Sequence, residues 1–283
     1  MNHMKLIESK VEVIEQQPGL EGVYKQIELA GRTCYKSEDK ITEDSSKEFV
    51  DRMIKSKHGA MLEHGTVYLK LIYEGNAYTA FVGPDYKYIK VFENNKYSKV
   101  VTITSDDLLT YYITTNLRVL VENNIMECLD FGCEPTEHHE KRITARFTCD
   151  RGVSHEIVRH RVMSFAQESQ RYVGYDKEKF GSEVTFIKPH WYDEEFPACL
   201  TWIESLKDSE KKYLELREAG LKPQDARGVL TNATKTEIVV TGFESDWEHF
   251  FSLRSPKYGA QGVHPDMAKL ADELYEKLNS VNK

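Results

Sequence analysis

Residues 159–172 read RHRVMSFAQESQRY, in which two arginines flank a histidine and a third arginine lies near the end. Neither the helical nor the strand repeat of apolar residues calls for such a run. A guanidinium group is permanently charged, and its planar donors match the paired oxygens of phosphate and carboxylate groups. The stretch is therefore either a charged turn in water or a pocket for anions.

The stretch opens at the end of a predicted helix, GVSHEIVRH, for which Asp150 is the predicted N-cap. The last residues of this helix and the residue that follows it are Arg159, His160 and Arg161. Helical side chains are separated by about 100° per residue, so the three cannot all contact one ligand. They could serve two ligands on two sides instead. If the residues around Ser169 form a tight loop, its backbone N–H groups and the Ser169 hydroxyl could hold a phosphate.

The composition is that of an ordinary globular protein, since 40% of the 283 residues are hydrophobic and 30% are charged. The net charge of −8 disfavours a nucleic-acid polymer as a partner, because phosphate backbones favour a basic surface. The chain has no apolar run of membrane-spanning length and no signal-peptide core, so we expect a cytoplasmic protein without membrane contact. Five scattered cysteines without a C-x-x-C pair predict reduced thiols.

The apolar patterns predict helices and strands mixed without regular βαβ alternation, which favours an α+β fold with a mixed or antiparallel sheet packed with helices. We expect one domain over residues 1–283. The predicted helices cover residues 20–35, 44–57, 105–124, 152–160, 194–220 and 264–281. The predicted strands are a hairpin over 66–83, strand or turn over 85–103, and strands at 142–149 and 183–189.

Other chemistries find less support in the sequence. In HEIVRH, His155 and His160 are spaced i, i+5 and lie roughly 140° apart on a helix, whereas a zinc helix needs i, i+4. The EHHE run at 137–140 reads as a solvated turn, so we expect no metal site. The chain has no G-x-S-x-G elbow, P-loop or G-x-G-x-x-G motif. Cys149 reads as a buried strand residue rather than a nucleophile.

Three segments resemble the flavin-dependent thymidylate synthases. The spacing R-H-R, seven residues, then Ser169 resembles the signature of that family, as do the flanking DRGVSHEIVRHR and SQRY. HGAMLEHGTVYL, which contains His58, Glu63 and His64, resembles an upstream element of the family. DARGVLTNATKTEIVVTGFESDWEHFFSLR resembles a later one. The resemblance covers roughly residues 20–73 and 142–280.

The resemblance implies an enzyme that methylates dUMP to dTMP. Methylenetetrahydrofolate would be the one-carbon donor, and FAD would carry reducing equivalents from NADPH. The two anionic groups of FAD and dUMP would explain arginines that face two sides. Members of the family form homotetramers with shared active sites, which we expect here as well. The alternatives are another FAD-dependent enzyme, or a catalytically inactive nucleotide-binding protein on the same fold.

The resemblance also implies a role for individual residues. Arg254 would be catalytic, as the cation that stabilises the ionised N3 of uracil. The residues implied for FAD are His58, Ala60, Arg159, His160, Arg161, Gln167, Phe243, Glu244, Ser245 and His249. Those implied for dUMP are Glu156, Arg159, Gln167, Glu168, Ser169, Gln170, Arg171, Arg227 and Arg254.

The sequence departs from the family pattern at three places. Phe243 replaces a common Asn, so the contact with adenine becomes stacking or is lost. Glu156 replaces a common Gln and brings a charge near the uracil. Residues near 74–141 form an insertion, which we expect at a rim or a subunit interface rather than in the core.

Overall fold

The computed structural model describes residues 4–76, 79–105, 107–175 and 183–280. For residues 76–82 it describes no side chains. In these ranges the strands are β1 (Lys5–Ile7), β2 (Lys10–Ile14), β3 (Thr66–Asn76), β4 (Thr79–Val82), β5 (Lys99–Thr104), β6 (Leu108–Asn116), β7 (Arg142–Asp150), β8 (Ser164–Gln167), β9 (Thr185–Ile187) and β10 (Lys235–Phe243). The helices are α1 (Gly19–Tyr35), α2 (Ser45–Lys55), α3 (Gly59–Leu62), α4 (Lys87–Glu93), α5 (Leu117–Glu122), α6 (Arg151–Ile157), α7 (Pro197–Glu218), α8 (Pro223–Ala226), α9 (Glu244–Arg254) and α10 (Pro265–Ser280).

Two four-stranded antiparallel sheets organise the fold. The first sheet has the order β2-β7-β10-β8, and the second has the order β4-β3-β6-β5. A separate parallel pair joins β1 to β9. The fold is therefore α+β, as the sequence predicts. Among the described residues, no helix is long and apolar enough to cross a membrane.

The first sheet places the stretch 159–172 between a helix and a strand. Asp150 ends β7 and caps α6 by accepting a hydrogen bond from the Val153 N–H over 2.7 Å, which confirms the predicted N-cap. β8 then pairs with β10, with Gln167 opposite Ile238. The turn after α6 therefore lies close to the end of β7 and to β10.

Helices α9 and α10 cover the first sheet through an aromatic core. Phe147 of β7 packs near Trp247 and Phe250, with ring centroids 6.4 and 6.2 Å away. These side chains are at most 1% exposed. Burying large aromatic side chains is the main stabilising term in such a core, so α9 is firmly seated beside the turn after α6.

The helix predicted over 105–124 is wrong. The structure forms β6 there, followed by the short helix α5. The run LLTYYITTN is rich in β-branched and aromatic residues, which suit a strand that pairs on both sides. The acidic residues after Ser105 resembled a helix start, but the N-cap is Asn116, whose side chain accepts from the Val119 N–H over 3.2 Å.

The neighbouring predictions are partly confirmed. The hairpin over 66–83 forms as β3 and β4, although its residues 77–78 lie outside the described residues. The prediction of strand or turn over 85–103 misses α4 and is confirmed for β5. The predicted helices that correspond to α1, α2, α6, α7 and α10 are present.

Most residues between Thr110 and Leu120 are buried in the core, so the expectation of a rim position is wrong for them. β6 pairs with β3 along its whole length, from Thr66 opposite Asn116 to Glu74 opposite Leu108. Ile113 is fully buried, as are Leu117 and Leu120 in α5. This segment therefore completes the second sheet. The assignment of residues 1–283 to one domain stays a prediction.

Candidate functional site

The turn that follows α6 carries the three residues at the centre of the predicted site. Helix α6 ends at Ile157, and the His160 N–H donates to the Ile157 carbonyl over 3.2 Å as the backbone continues in successive turns. His160 is 8% exposed, whereas Arg159 and Arg161 are exposed. The imidazole therefore faces the protein and the two guanidinium groups face outward.

Arg159 and Arg161 have guanidinium groups that can take up a ligand. Within the described part of the chain, neither forms a side-chain hydrogen bond or an ion pair. Val158 and Val162 beside them are exposed as well, at 36% and 46%. Cationic and apolar side chains together form a surface suited to an anion that carries an aromatic ring.

Arg254, the predicted catalytic residue, lies between a carboxylate and an imidazole. Its Nη1 donates to Oε2 of Glu156 over 2.5 Å, and its Nε donates to Nε2 of His160 over 3.4 Å. The side chains of Arg254 and Glu156 are 18% and 26% exposed, so water screens the pair only in part. Burial, followed by the charge of Arg254, lowers the pKa of His160 from 6.5 to about 4. The imidazole is therefore neutral at pH 7.

Helix α9 brings further predicted residues to this turn. The ring of His249 lies 6.1 Å from the ring of His160, and the ring of Phe250 lies 4.9 Å from it. The structure thus brings together four residues of the predicted site, namely Glu156, His160, His249 and Arg254.

The loop after β8 is the segment for which a phosphate site is predicted. The Glu168 N–H donates to the Glu237 carbonyl over 2.8 Å, and the Ser169 N–H donates to the Cys34 carbonyl over 3.0 Å. The Arg171 N–H donates to Ser169 Oγ over 3.3 Å. The N–H groups of Glu168, Ser169 and Arg171 therefore already donate to protein oxygens. The expectation that backbone N–H groups hold a phosphate is wrong for these three. Side chains are left to bind an anion here.

Cationic side chains supply such contacts. Arg171 is exposed and lies over the ring of Tyr172, 5.5 Å from its centroid. Arg227 donates from Nε to the Gln224 carbonyl over 3.2 Å. Burial lowers the pKa of Arg151, and the nearby charge of Arg227 acts in the same direction. Neighbouring guanidinium groups repel each other, and an anion bound between them would relieve that repulsion, so this position is a candidate phosphate subsite.

Arg151 is a functional candidate that sequence reasoning missed. It is the first residue of α6. A cation at the N-terminus of a helix interacts unfavourably with the helix dipole and costs up to about 1 kcal/mol of stability. That unfavourable placement is the signal from which it could have been found. Within the described residues, its guanidinium forms no hydrogen bond or ion pair.

Glu168 belongs to a buried network of four charges. Its Oε2 lies 3.0 Å from Lys235 Nζ and 3.9 Å from Lys36 Nζ. Glu237 lies 2.5 Å from Lys235 Nζ and 2.7 Å from Lys36 Nζ. The four side chains are between 3% and 17% exposed. Glu168 therefore anchors the loop to α1 and β10, and its predicted contact with dUMP stays a prediction.

The two glutamines of the loop differ in their surroundings. Gln167 donates from Nε2 to Ser154 Oγ over 2.9 Å and to Thr236 Oγ1 over 3.3 Å, which ties the end of β8 to α6. Gln170 is half-buried in the turn. Their contacts with FAD or dUMP stay predictions.

The predicted residues His58 and Ala60 lie at the start of α3, and both are exposed. Nδ1 of His58 lies 3.4 Å from the hydroxyl of Tyr35. The Tyr35 ring in turn lies 5.8 Å from the ring of Tyr172. The end of α1 therefore connects this segment to the stretch 159–172.

The residues predicted around adenine lie at the start of α9. Phe243 is 3% exposed and lies between Lys99 and Arg142, each with its cationic group 5.5 Å from the ring centroid. Ser245 Oγ donates to Oε1 of Glu140 over 2.5 Å. Both side chains thus have protein partners, and their contact with adenine stays a prediction.

Two cavities border predicted residues. A cavity of about 340 Å³ beside Glu156 is also lined by Trp191 and Trp202, and its size suits a small ligand. A groove of about 1250 Å³ is bordered by Glu244, which is exposed. Among the described residues, no group of three or more His, Cys, Asp or Glu is placed to hold a metal ion.

Comparison with known proteins finds relatives in the family that the sequence resembles. The flavin-dependent thymidylate synthase of Pyrococcus furiosus is 33% identical over 157 residues, which cover 56% of this chain and 64% of the relative. That of Mycobacterium tuberculosis is 34% identical over 140 residues, which cover 46% of this chain and 54% of the relative. The matches thus span less than two-thirds of the length of these relatives.

A solved structure also aligns with the chain. It is a UMP/dUMP methylase, PolB, from Streptomyces cacaoi bound with 5-Br dUMP, and the alignment covers 98% of this chain and 92% of that one. The TM-score is 0.45 and the identity is 15%, values too low to support an inference.

The family model described as thymidylate synthase complementing protein matches residues 111–281. That range covers more than half of the chain and includes the stretch 159–172 and both Arg227 and Arg254. The resemblance found in the sequence is therefore confirmed at the level of the family. The chain belongs to the thymidylate synthase complementing protein family.

Proposed function

We propose that this protein is a flavin-dependent thymidylate synthase. It would methylate dUMP to dTMP, with methylenetetrahydrofolate as the one-carbon donor and NADPH-reduced FAD as the source of hydride. The observation that carries the proposal is the contact of Arg254 with Glu156 and neutral His160, beside arginines whose guanidinium groups have no anionic partner among the described residues.

The loop after β8 suits the phosphate of dUMP. Arg171 lies in this loop, where its N–H donates to the Ser169 hydroxyl, and the charges of Arg227 and of Glu168 in the loop both act on Arg151. Guanidinium groups form strong, charge-assisted hydrogen bonds with phosphate oxygens. Arg151 is added to the predicted phosphate ligands on the basis of its position in α6 and its neighbour Arg227.

Arg254 suits the pyrimidine end of the same ligand. A fixed cation beside a group that becomes negative stabilises the transition state, most strongly where water is scarce. The Glu156 carboxylate fixes the orientation of Arg254 before a ligand binds. His160, neutral and in contact with Arg254, adds no competing charge at this point.

The donors around the turn after α6 fit FAD. Arg159 and Arg161 offer a pyrophosphate exposed guanidinium groups that have no partner in the part of the chain that the structure describes, and the exposed Val158 and Val162 offer apolar surface to a ring. FAD supplies the redox chemistry, while the protein provides binding, orientation and electrostatics. The thiol of Cys34, a neighbour of this loop, is protonated at pH 7, because burial, followed by the charge of Glu168, raises its pKa to about 11.

The proposal includes a homotetramer with shared active sites and a cytoplasmic location. Leu253 is 49% exposed at the end of α9, next to Arg254, and Val158 and Val162 of the turn after α6 are 36% and 46% exposed. Apolar residues at the rim of a polar site are the kind of surface that another subunit covers.

The proposal is tested by the oxidation of NADPH on protein loaded with FAD, followed at 340 nm with and without dUMP. We expect dUMP to change the rate, and dTMP to form when methylenetetrahydrofolate is added. Oxidation that is indifferent to dUMP would indicate a different FAD-dependent enzyme. Protein that binds dUMP but not FAD would indicate a nucleotide-binding protein without catalysis.

A further inference from the structure

Helix α5 begins directly beside residues 58–64, which we call the His58 segment. Asn116 ends β6 and caps α5 by accepting from the Val119 N–H over 3.2 Å. The Leu117 N–H donates to the Gly65 carbonyl over 3.0 Å. The start of α5 is therefore fixed against the end of the His58 segment.

Arg118 of α5 contacts the His58 segment at both ends. Its Nη1 donates to Oε1 of Glu63 in a short hydrogen bond, and its Nε donates to Oε1 of Glu122 over 2.7 Å. A Cβ added to Gly59 would lie 2.9 Å from Nε of Arg118. The guanidinium group therefore packs directly on the backbone at Gly59 while it binds the Glu63 carboxylate.

The two carboxylates bound by Arg118 differ in exposure. The side chain of Glu63 is 11% exposed, and that of Glu122 is 54% exposed. An exposed ion pair contributes little, whereas a shielded charge that loses its partner is costly. The contact with Glu63 is therefore the consequential one, and Glu122 provides a matched comparison on the same arginine.

The opposite side of the segment is fixed to the first sheet. Nη1 of Arg142 donates to the Glu63 carbonyl over 3.0 Å. Nδ1 of His64 lies 2.8 Å from Oγ1 of Thr241, and His64 is fully buried. The end of the segment at Glu63 is thus held by the first sheet. Arg118 links this end to Gly59, because it binds the Glu63 carboxylate and packs against the backbone at Gly59.

We propose that Arg118 is a positioning residue that acts through Glu63. It holds the backbone at Gly59 so that His58 and Ala60 meet the flavin in one fixed geometry. This inference rests on the proposed function and on the expectation, drawn from the resemblance in the sequence, that these two residues contact FAD. It also gives residues 74–141 a role, because the end of β6 places α5 and its arginine against the His58 segment.

The inference is tested by titrating FAD into purified variants and following flavin fluorescence. Arg118→Ala and Glu63→Gln should each raise the Kd for FAD about tenfold, because a misplaced contact residue binds less well. The double variant should lose no more than either single variant, since both remove one interaction. Arg118→Lys should recover only part of the affinity, because an ammonium group lacks the planar fork of donors.

Glu122→Gln is the control, and its Kd should stay within about twofold of the parental value, as expected of an exposed pair. Additive losses in the double variant would overturn the inference, because they would show that Arg118 and Glu63 act independently. An equal loss in Glu122→Gln would overturn it too, because the effect would not pass through Glu63.

A measurement without ligand separates this inference from the proposed function. Hydrogen exchange reports on the Met61 and His64 N–H groups, which donate to the His58 and Met61 carbonyls over 3.3 and 3.2 Å. Arg118→Ala should speed their exchange while leaving the N–H groups of β10 protected. Unchanged exchange would overturn the inference even if the protein binds FAD. Faster exchange in a protein that does not bind FAD would contradict only the proposed function.

Discussion

The Nη1 of Arg254 donates to Oε2 of Glu156 over 2.5 Å, and this ion pair joins the end of α9 to α6. Both side chains are partly shielded from water. A cation held in this way needs little reorganisation when charge develops next to it, which is the arrangement expected of an electrostatic catalyst. Glu156 thus gives Arg254 a charged partner.

Replacing Arg254 should remove turnover while leaving the flavin bound. Arg254→Ala should lower kcat by about a hundredfold, because a fixed donor to a developing charge contributes mainly in the transition state. The Kd for FAD should remain near the parental value. Steady-state formation of dTMP and titration of FAD check the two halves of this prediction.

Lys257→Ala is the control for Arg254→Ala, since Lys257 is an exposed cation just beyond α9 that pairs with Glu276. Its kcat should match the parental value. If Arg254→Ala turns over as fast as this control, the assignment of Arg254 as the catalytic cation is wrong.

Replacing Arg151 should weaken the binding of the phosphate group alone. Arg151→Ala should cost about 2 kcal/mol in dUMP binding, roughly thirtyfold in Kd, as expected for loss of a charge-assisted hydrogen bond. The Kd for deoxyuridine, which has no phosphate, should not change. Calorimetric titration of both ligands separates a phosphate contact from a general defect. Equal losses of affinity for the two ligands would contradict the phosphate subsite. Arg52→Ala, at an exposed position, is the control and should bind both ligands as the parent does.

Breaking the buried network beneath the loop should destabilise the protein. Burial opposes the charge of Glu237, but Lys235 and Lys36 outweigh it and lower its pKa from 4.5 to about 2. Glu237→Gln leaves the two buried ammonium groups with Glu168 and, for Lys36, the more exposed Glu38, and should cost about 2 kcal/mol at pH 7. The stabilisation from the depressed pKa is fully present above about pH 4.5 and is lost as the pH falls through the folded-state pKa of about 2, so the difference should shrink over that range.

Urea unfolding at pH 7 and pH 3 measures this cost. Glu21→Gln, which removes an exposed partner of Lys25, should change the midpoint little at either pH. A Glu237→Gln protein as stable as the parent at pH 7 would show that the network contributes nothing.

Acid should destabilise the protein through its neutral histidines. Burial, followed by the charge of Arg142, lowers the pKa of His64 from 6.5 to about 3, and His160 is lowered to about 4. Below pH 6.5 the unfolded chain binds protons that the folded protein does not, so stability falls from pH 6.5 towards pH 4. The slope should be about 1.4 kcal/mol per pH unit for each histidine.

Urea unfolding between pH 7 and pH 5 measures this slope. His64→Gln and His160→Gln should each flatten it, and His155→Gln, at an exposed position, should leave it unchanged. Two variants guard against one that fails to fold. A slope that is the same in all three variants would show that neither buried histidine is its source.

The elements that the sequence predicted well carry their own local signals. α7 ends at Glu218 and is followed by Gly220 with φ of 90°, a conformation that glycine adopts without strain. α6 has Asp150 as its cap, and the R-H-R spacing to Ser169 is readable from the chain alone. Local signals of this kind do not depend on the tertiary fold.

The misses depend on contacts between distant parts of the chain. β6 forms because β3 and β5 pair with it on both sides, which the acidic start of the run conceals. The network of Lys36 with Glu168 and Glu237 joins α1, the loop after β8 and β10, and no spacing in the sequence reveals it. The contact of Arg254 with Glu156 likewise exists only once α9 packs beside α6.

The most direct test of the central claim is the formation of dTMP by the purified, FAD-loaded protein, measured by chromatography. The complete mixture would be compared with mixtures that each lack one of dUMP, methylenetetrahydrofolate or NADPH. The account predicts dTMP in the complete mixture and none when dUMP or methylenetetrahydrofolate is absent. Protein that binds FAD and dUMP and oxidises NADPH, yet forms no dTMP in the complete mixture, would contradict it.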